Sequence, residues 1–331
     1  MAANGRARPR SLADLVADAD AAARRGSAYG GQRWPTGFTP LDDHLGGGLR
    51  AGELTLVSGA QGQGKTTFVL QAARNAAAVG LPVLYVSYEH PEDDVLARLL
   101  GMEAGLVAGP GAFRLGELRG VLDAAGPTPG GLSERLAALG DGSEVVDVLA
   151  DRGGFTVLGA SGNPLALDAL AKLVLDIDPR PMVAVDYLQK VATSTPSRDE
   201  AEQVTRVVEG LKDLALRAGV PVLAVVAAES SGIATGRVRL HHLRGSSALA
   251  YEADVALMLN NKYRAVAQHH LAFSTTNVEK FQEYVVVSIE KIRGGKDGID
   301  LEFRTAFDRG HFDPLGGEVL EHLVDDRVGG G

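Results

Sequence analysis

From about residue 35 to residue 314 the chain alternates between short apolar runs and stretches of helical spacing. The runs Leu54–Ser58, Val83–Ser87, Thr156–Gly159, Met182–Asp186, Val222–Val226, Val255–Leu259, Tyr284–Lys291 and Ile299–Phe303 are rich in Val, Leu and Ile and read as buried strands. Between the earlier ones, Thr67–Val79, Glu92–Met102, Leu165–Asp176 and Glu200–Ala218 carry apolar residues at a period near 3.6 and read as helices. This alternation predicts an α/β fold, a mostly parallel sheet with helices on both faces. The last two strands flank Gly294-Gly295-Lys296-Asp297-Gly298, a turn-rich segment that predicts a β-hairpin.

The ends and one inner stretch break the pattern. Ser11–Arg25 reads as a lone helix with Leu12, Leu15, Val16 and Ala19 in one stripe and Ser11 as its N-cap. A single helix of this length is marginal in water, so it needs a surface in its own chain or in a neighbour. The expected division is an arm over 1–30, an α/β domain over 31–314 and a frayed acidic tail over 315–331. Residues 104–131, rich in Gly, Ala and Pro, read as an irregular excursion.

Composition narrows the partners. The 331 residues are 45% hydrophobic, enough for a substantial core, and contain no cysteine, which removes disulfides and thiolate metal sites. No apolar run reaches the roughly 18 residues of a membrane span, and no signal-peptide core follows the polar start; a cytoplasmic location with no membrane partner is expected. A net charge of −9 disfavours coating duplex DNA by bulk charge, and aromatics at 5% disfavour a stacking platform. A local basic channel is compatible with both.

The sharpest local signal is Gly59-Ala60-Gln61-Gly62-Gln63-Gly64-Lys65-Thr66, followed by Thr67, between a predicted strand and a predicted helix. It fits G-x-x-x-x-G-K-[ST], the phosphate-binding loop. Glycines let backbone N–H groups face phosphate oxygens, and the new helix aims its positive end at the same anion. Lys65 then serves the β/γ-phosphates of ATP, and the Thr66 hydroxyl ligates Mg²⁺. The bland alternative is a Gly-rich turn with a stray Lys, in a chain with 42 glycines; the strand–loop–helix context disfavours it.

Further candidates follow from where strands end. Met182–Asp186 closes on a carboxylate where phosphate-loop proteins hold Mg²⁺; otherwise Asp186 is a turn residue. Val83–Ser87 is followed by Glu89, and parallel strands deliver their C-terminal ends to one crevice. Glu89 is therefore a candidate base for the attacking water, or else a surface residue capping the next helix. Lys291 and Arg293, at the mouth of the hairpin, are candidates to act on a neighbouring subunit's nucleotide, or are solvated hairpin charges. Arg237, Arg239 and Arg244, with His241 and His242, make Glu229–Ser247 a locally basic segment suited to phosphates, or else an ordinary solvated loop. Neither His241-His242 nor His269-His270 has zinc-ligand spacing.

In order along the chain, Pro35-Thr36-Gly37-Phe38-Thr39-Pro40-Leu41-Asp42, Gly46–Leu49, Gly64–Phe68, Ser87-Tyr88-Glu89-His90-Pro91, Asp186-Tyr187-Leu188-Gln189, Leu243–Ser247, Glu252–Asp254 and Lys291–Gly295 resemble the C-terminal, RecA-like ATPase domain of DnaB-type replicative helicases. The KaiC and RadA relatives fit Asp186–Gln189 less well. The resemblance implies ATP and Mg²⁺ as cofactors, with Lys65, Thr66 and Asp186 at the phosphates and metal, Glu89 as base, and Lys291 and Arg293 reaching the adjacent protomer. It implies a homo-oligomer, a hexameric ring, on single-stranded DNA. Loops after Asp186 (Val191–Arg198) and after Val226 (Glu229–Ser247) would line the channel, movement would run 5′–3′, and the helix at 11–25 would dock on a neighbour. No primase-binding collar is expected. One departure stands out: ungapped alignment puts Ala227 where the family has a γ-phosphate-sensing Gln, and alanine has no hydrogen-bonding side chain. That keeps open a KaiC/RadA-like ATP switch, and a binding module without catalysis.

Overall fold

The computed structural model describes residues 9–27, 30–107, 113–140, 144–163, 165–195, 197–267 and 275–324. The chain divides into two units, Met1–Arg33 and Trp34–Gly331. The first holds helix α1 (Leu12–Arg24), capped as expected: the Ser11 hydroxyl accepts the Asp14 N–H, and the Asp14 carboxylate accepts the Ser11 N–H. Leu12 and Val16 of its apolar stripe are 77% and 59% exposed.

The second unit is built on strands β1 (Leu54–Gly59), β2 (Val83–Ser87), β3 (Phe155–Gly159), β4 (Met182–Asp186), β5 (Val222–Val225), β6 (Val255–Asn261), β7 (Tyr284–Ile292), β8 (Ile299–Ala306), β9 (His311–Phe312) and β10 (Gly317–Glu318). Their order is β9-β8-β7-β6-β1-β5-β4-β2-β3, with β10 on β8. Pairings from β6 through β3 are parallel, and those of β7 to β10 antiparallel. This is the RecA-like arrangement, with the expected hairpin as its β7–β8 edge. Strand β1 is central, and the chain passes over β5 and β4 to reach β2. Such a reversal opens a crevice at the strands' C-terminal ends.

The sheet is covered on both faces because β1 alternates. Val57 joins a cluster with Phe38, Phe68 and Phe303, whereas Leu54 and Leu56 join Leu211 and Leu214 on the other side. Helices α2 (Thr39–His44), α3 (Lys65–Ala78) and α4 (Glu92–Val107) contribute to the first face; α8 (Leu167–Asp176) and α9 (Glu200–Ala218) cover the second.

Most of the described residues of the excursion expected at 104–131 are instead helical. Helix α4 runs to Val107, and α5 (Leu115–Asp123), α6 (Gly131–Ala137) and α7 (Val145–Ala150) follow. Leu100, Ala104, Phe113, Leu118, Val121, Leu136 and Val145 form a small core of their own. The glycines misled the reading because one is there for closeness. A Cβ on Gly105 would stand 2.3 Å from the His311 ring, so this glycine lets α4 press on β9.

The tail is corrected as well. Through Val324 it is paired: Glu318 opposes Leu301, Leu323 bridges Val266, and Glu321 lies 2.7 Å from Lys262. Lys262 is 2% exposed and also pairs with Glu302. A buried ammonium needs such partners, and the acidic tail supplies one. Residues 325–331 lie outside the described set. Among the described residues no helix is long and apolar enough to cross a membrane.

Candidate functional site

Strand β1 ends at Gly59 and α3 starts at Lys65, so the glycine-rich loop closes within five residues, Ala60 to Gly64. Gly64 caps the helix at φ +79°, and a Cβ there would fall 2.5 Å from the Phe307 ring; only glycine fits. The first turn of α3 holds no acidic residue, leaving its unpaired N–H groups free to meet an anion. Lys65 Nζ donates to the Gly59 and Ala60 carbonyls at 2.9 Å, folding the ammonium over the loop.

The support beneath is where the few aromatics are concentrated. Phe38 stacks on Phe68 at 4.4 Å, and Phe312 meets Phe68 edge-on at 5.8 Å. Each such pair contributes about 1 kcal/mol beyond burial. Gln71, fully buried on α3, donates to the Phe312 carbonyl at 2.9 Å and accepts its N–H at 2.8 Å. These contacts fix α3, and with it Lys65 and Thr66, against β9.

A cavity of about 690 Å³ lies over the C-terminal ends of β1, β5, β4 and β2. Gly59, Gln61, Gly62, Gly64, Lys65, Thr66 and Thr67 line it from the loop, Glu89 from the end of β2, and Asp186 from the end of β4. The sequence candidates from three separate segments therefore meet. The pairing of Ser87 with Asp186 explains why: it brings the ends of β2 and β4 level. Asp186 is 1% exposed; burial pushes its carboxyl up, opposed by hydrogen bonds from Thr66 and Tyr85. Burial lowers the Lys65 ammonium, opposed by the charges of Asp186 and Glu89. A buried carboxylate, a hydroxyl beside it, an ammonium and a ring of N–H groups form a donor set that suits a phosphate with a hard divalent cation. Glu89 is exposed on the rim of the same cavity.

Several residues at the site were missed. Tyr85 donates to Asp186 Oδ2 at 3.0 Å from inside β2; a tyrosine in an otherwise aliphatic buried strand is the signal, since its hydroxyl needs a partner. Asp94 gathers His90 Nδ1 at 3.1 Å, Arg98 Nε at 2.9 Å and the Arg119 guanidinium. Burial works to raise its carboxyl, but Arg98 and Arg119 outweigh it and hold it below the usual range. His90 and Arg98 both line the cavity. The Asp94/Arg98 spacing was readable as a helical i,i+4 pair.

Ala227 and Ala228, just past β5, line the same cavity, as does Arg244. The Gln189 side chain, just past β4, accepts the Ala227 N–H and donates to the Arg244 carbonyl, both at 3.1 Å.

Two groups of candidates lie elsewhere. Lys291 and Arg293 are at the opposite end of the parallel strands, since Ile292 pairs with Val255 at the start of β6. Lys291 Nζ donates to the Ala250 carbonyl at 2.8 Å; the Arg293 N–H donates to the Asp254 carbonyl at 2.8 Å, with its guanidinium 3.4 Å from that carboxylate and 60% exposed. Asp254 Oδ2 in turn accepts the Leu54 N–H at 2.8 Å and Lys212 Nζ at 2.6 Å. Neither cation reaches the cavity of its own chain.

The basic reading of Glu229–Ser247 is corrected at two arginines. Arg237, 6% exposed, binds Asp300 at 2.6 Å, and Arg239 binds Glu290 at 2.5 Å. Both are consumed by carboxylates of the hairpin, which local charge patterning does not register. Arg244 remains exposed, paired with Glu200 at 2.9 Å. His269 and His270 lie outside the described residues.

The AAA domain family matches residues 32–228, more than half of the chain, and the DnaB-like helicase C terminal domain family matches residues 163–311. The replicative DNA helicase DnaB of Treponema pallidum is 25% identical over 281 residues, 83% of this chain and 55% of that protein. The DNA repair protein RadA of Campylobacter jejuni is 42% identical over 86 residues, 26% of this chain and 19% of that protein. The chain thus spans about half or less of the length of these relatives. Among solved structures, the ATPase domain of G40P superposes with a TM-score of 0.70 at 20% identity, covering 92% of this chain and 99% of that domain.

Proposed function

The chain belongs to the AAA domain family and is DnaB-like in its C-terminal half, and on that footing we propose that it is a Mg²⁺-dependent ATPase acting as a ring on single-stranded DNA, a DnaB-like helicase or translocase. One observation carries the reading: Lys65, Thr66, Glu89 and Asp186 converge on one cavity while Arg293 stands exposed at the opposite end of the parallel strands. A site with a base and a metal set but with its own finger out of reach is complete when a second copy supplies the arginine.

In this mechanism the loop N–H groups and Lys65 would hold the β- and γ-phosphates, and Thr66 and Asp186 would hold the metal. Mg²⁺, when held there, would supply positive charge beside the phosphates. Glu89 orients water and accepts its proton. Arg293, with Lys291, offsets charge at the neighbouring site.

ATP turnover measured with and without single-stranded DNA at low salt tests the reading. Turnover abolished by Lys65→Ala, retained binding but lost turnover in Glu89→Gln, and stimulation by the strand are expected. DNA-independent turnover would sink the motor. One observation favours a second reading, a RadA- or KaiC-like ATP switch: with Ala227 on the cavity wall, no side-chain amide reaches the phosphates from the end of β5. Hydrolysis that is slow and indifferent to DNA, with assembly following ATP, is its signature.

A further inference from the structure

Gln189 sits in the short 3-10 turn Leu188–Lys190, two residues beyond the β4 end that carries Asp186 and immediately before the loop Val191–Arg198. Its amide spans two segments distant in sequence, Ala227 and Arg244. Only one orientation satisfies both, with oxygen toward an N–H and nitrogen toward a carbonyl.

Those two partners are the stem of the loop Glu229–Ser247. The Arg244 N–H donates to the Ala227 carbonyl at 2.9 Å, the Glu229 N–H donates to the His242 carbonyl at 2.8 Å, and Ala228 bridges Leu243 between them. The loop therefore leaves and returns through one antiparallel stem, and Gln189 fastens both of its sides. Ala227, Ala228 and Arg244 of that stem line the phosphate cavity. The Arg244 guanidinium also pairs with Glu200 at the start of α9, beyond the far end of the Val191–Arg198 loop. One amide thus ties the metal-site strand to the roots of both loops.

We propose that Gln189 is a positioning residue that transmits occupancy of the phosphate cavity to the loop Glu229–Ser247. A group bound between Asp186 and the stem bears on both sides of this bridge, and the bridge makes them move together. The inference rests on the reading of the cavity as a nucleotide site. It assigns to the rim of the cavity a coupling for which position 227 carries no polar side chain.

The test is hydrogen–deuterium exchange of peptides covering 229–247 in the full chain, with and without Mg²⁺ and a non-hydrolysable ATP analogue. Affinity for a fluorescent ATP analogue is measured in parallel. In the unmodified chain the nucleotide is expected to slow exchange in this loop. Gln189→Ala should bind nucleotide with unchanged affinity yet lose roughly tenfold of that protection, the scale of two neutral hydrogen bonds. Should Gln189→Ala fail to fold, Gln189→Glu serves. It keeps an acceptor for the Ala227 N–H but sets an oxygen against the Arg244 carbonyl, and should lose much of the response. Wild-type protection in the variants, or a loop in the unmodified chain that ignores bound nucleotide, overturns the inference and leaves the nucleotide site standing. Absence of nucleotide binding in the unmodified chain overturns the underlying reading itself.

Discussion

The Arg293 guanidinium lies 3.4 Å from the buried carboxylate of Asp254, at the end of the parallel strands away from the phosphate loop. An arginine held there cannot serve the nucleotide of its own chain. Arg293→Ala should therefore lower turnover by about 10³-fold or more while nucleotide affinity is kept. Mixing that variant with Lys65→Ala should restore activity, since each supplies what the other lacks at some interfaces. A mixture as inactive as its components would refute action between subunits.

Restoring an amide to the cavity wall should strengthen coupling. Ala227→Gln is expected to raise stimulation by single-stranded DNA roughly fivefold or more, the lower end of ordinary coupling between sites. Steady-state turnover with and without an oligonucleotide reads this directly. Unchanged stimulation would show that position 227 does not limit the communication.

Glu103 is fully buried and holds two arginines, Arg74 and Arg152, each at 2.6 Å. Burial works to raise its carboxyl, but the hydrogen bonds and charges of the two arginines prevail and hold it below the usual range. A lowered folded value means that its contribution is complete above the unfolded value of about 4.3 and fades as pH falls through the lower folded one. Glu103→Gln leaves two poorly paired guanidinium groups and should cost about 3 kcal/mol near neutrality. It should also flatten the acid side of the stability profile. Urea midpoints across a pH series measure both effects.

The exposed stripe of α1 is expected to support assembly. Replacing Leu12 and Val16 with Ser should shift the oligomer toward smaller species in sedimentation velocity, with turnover per assembled ring unchanged. An unaltered distribution would show that the stripe has no partner in the assembly.

The parts legible in the sequence were those whose cause is local. The phosphate loop, the strand ending at Asp186 and the cap of Ser11 on Asp14 each follow from residues a few positions apart. Glu89 met Asp186 because parallel strands end together, a rule that needs only the order of strands. What escaped depends on partners far along the chain. Arg237 and Arg239 read as free basic residues because Asp300 and Glu290, which absorb them, belong to a hairpin some 50 residues later. Residues 104–131 read as irregular partly because the close approach of Gly105 to His311 was not in view. Tyr85 was hidden because a hydroxyl in a buried strand says that a partner exists without saying which one.

Strand β1 is anchored at both ends to chemistry. At Gly59 it launches the phosphate loop; at Leu54 its N–H is bound by Asp254, the residue that carries Arg293. Six extended residues form a rod of about 20 Å, and a central strand neither stretches nor slips without turning its side chains to the wrong face. In the proposed ring this rod is a gauge length. It sets the distance between the nucleotide a subunit holds and the one it helps to cleave next door. The rings such a chain builds would then share one repeat, whatever their loops come to grip.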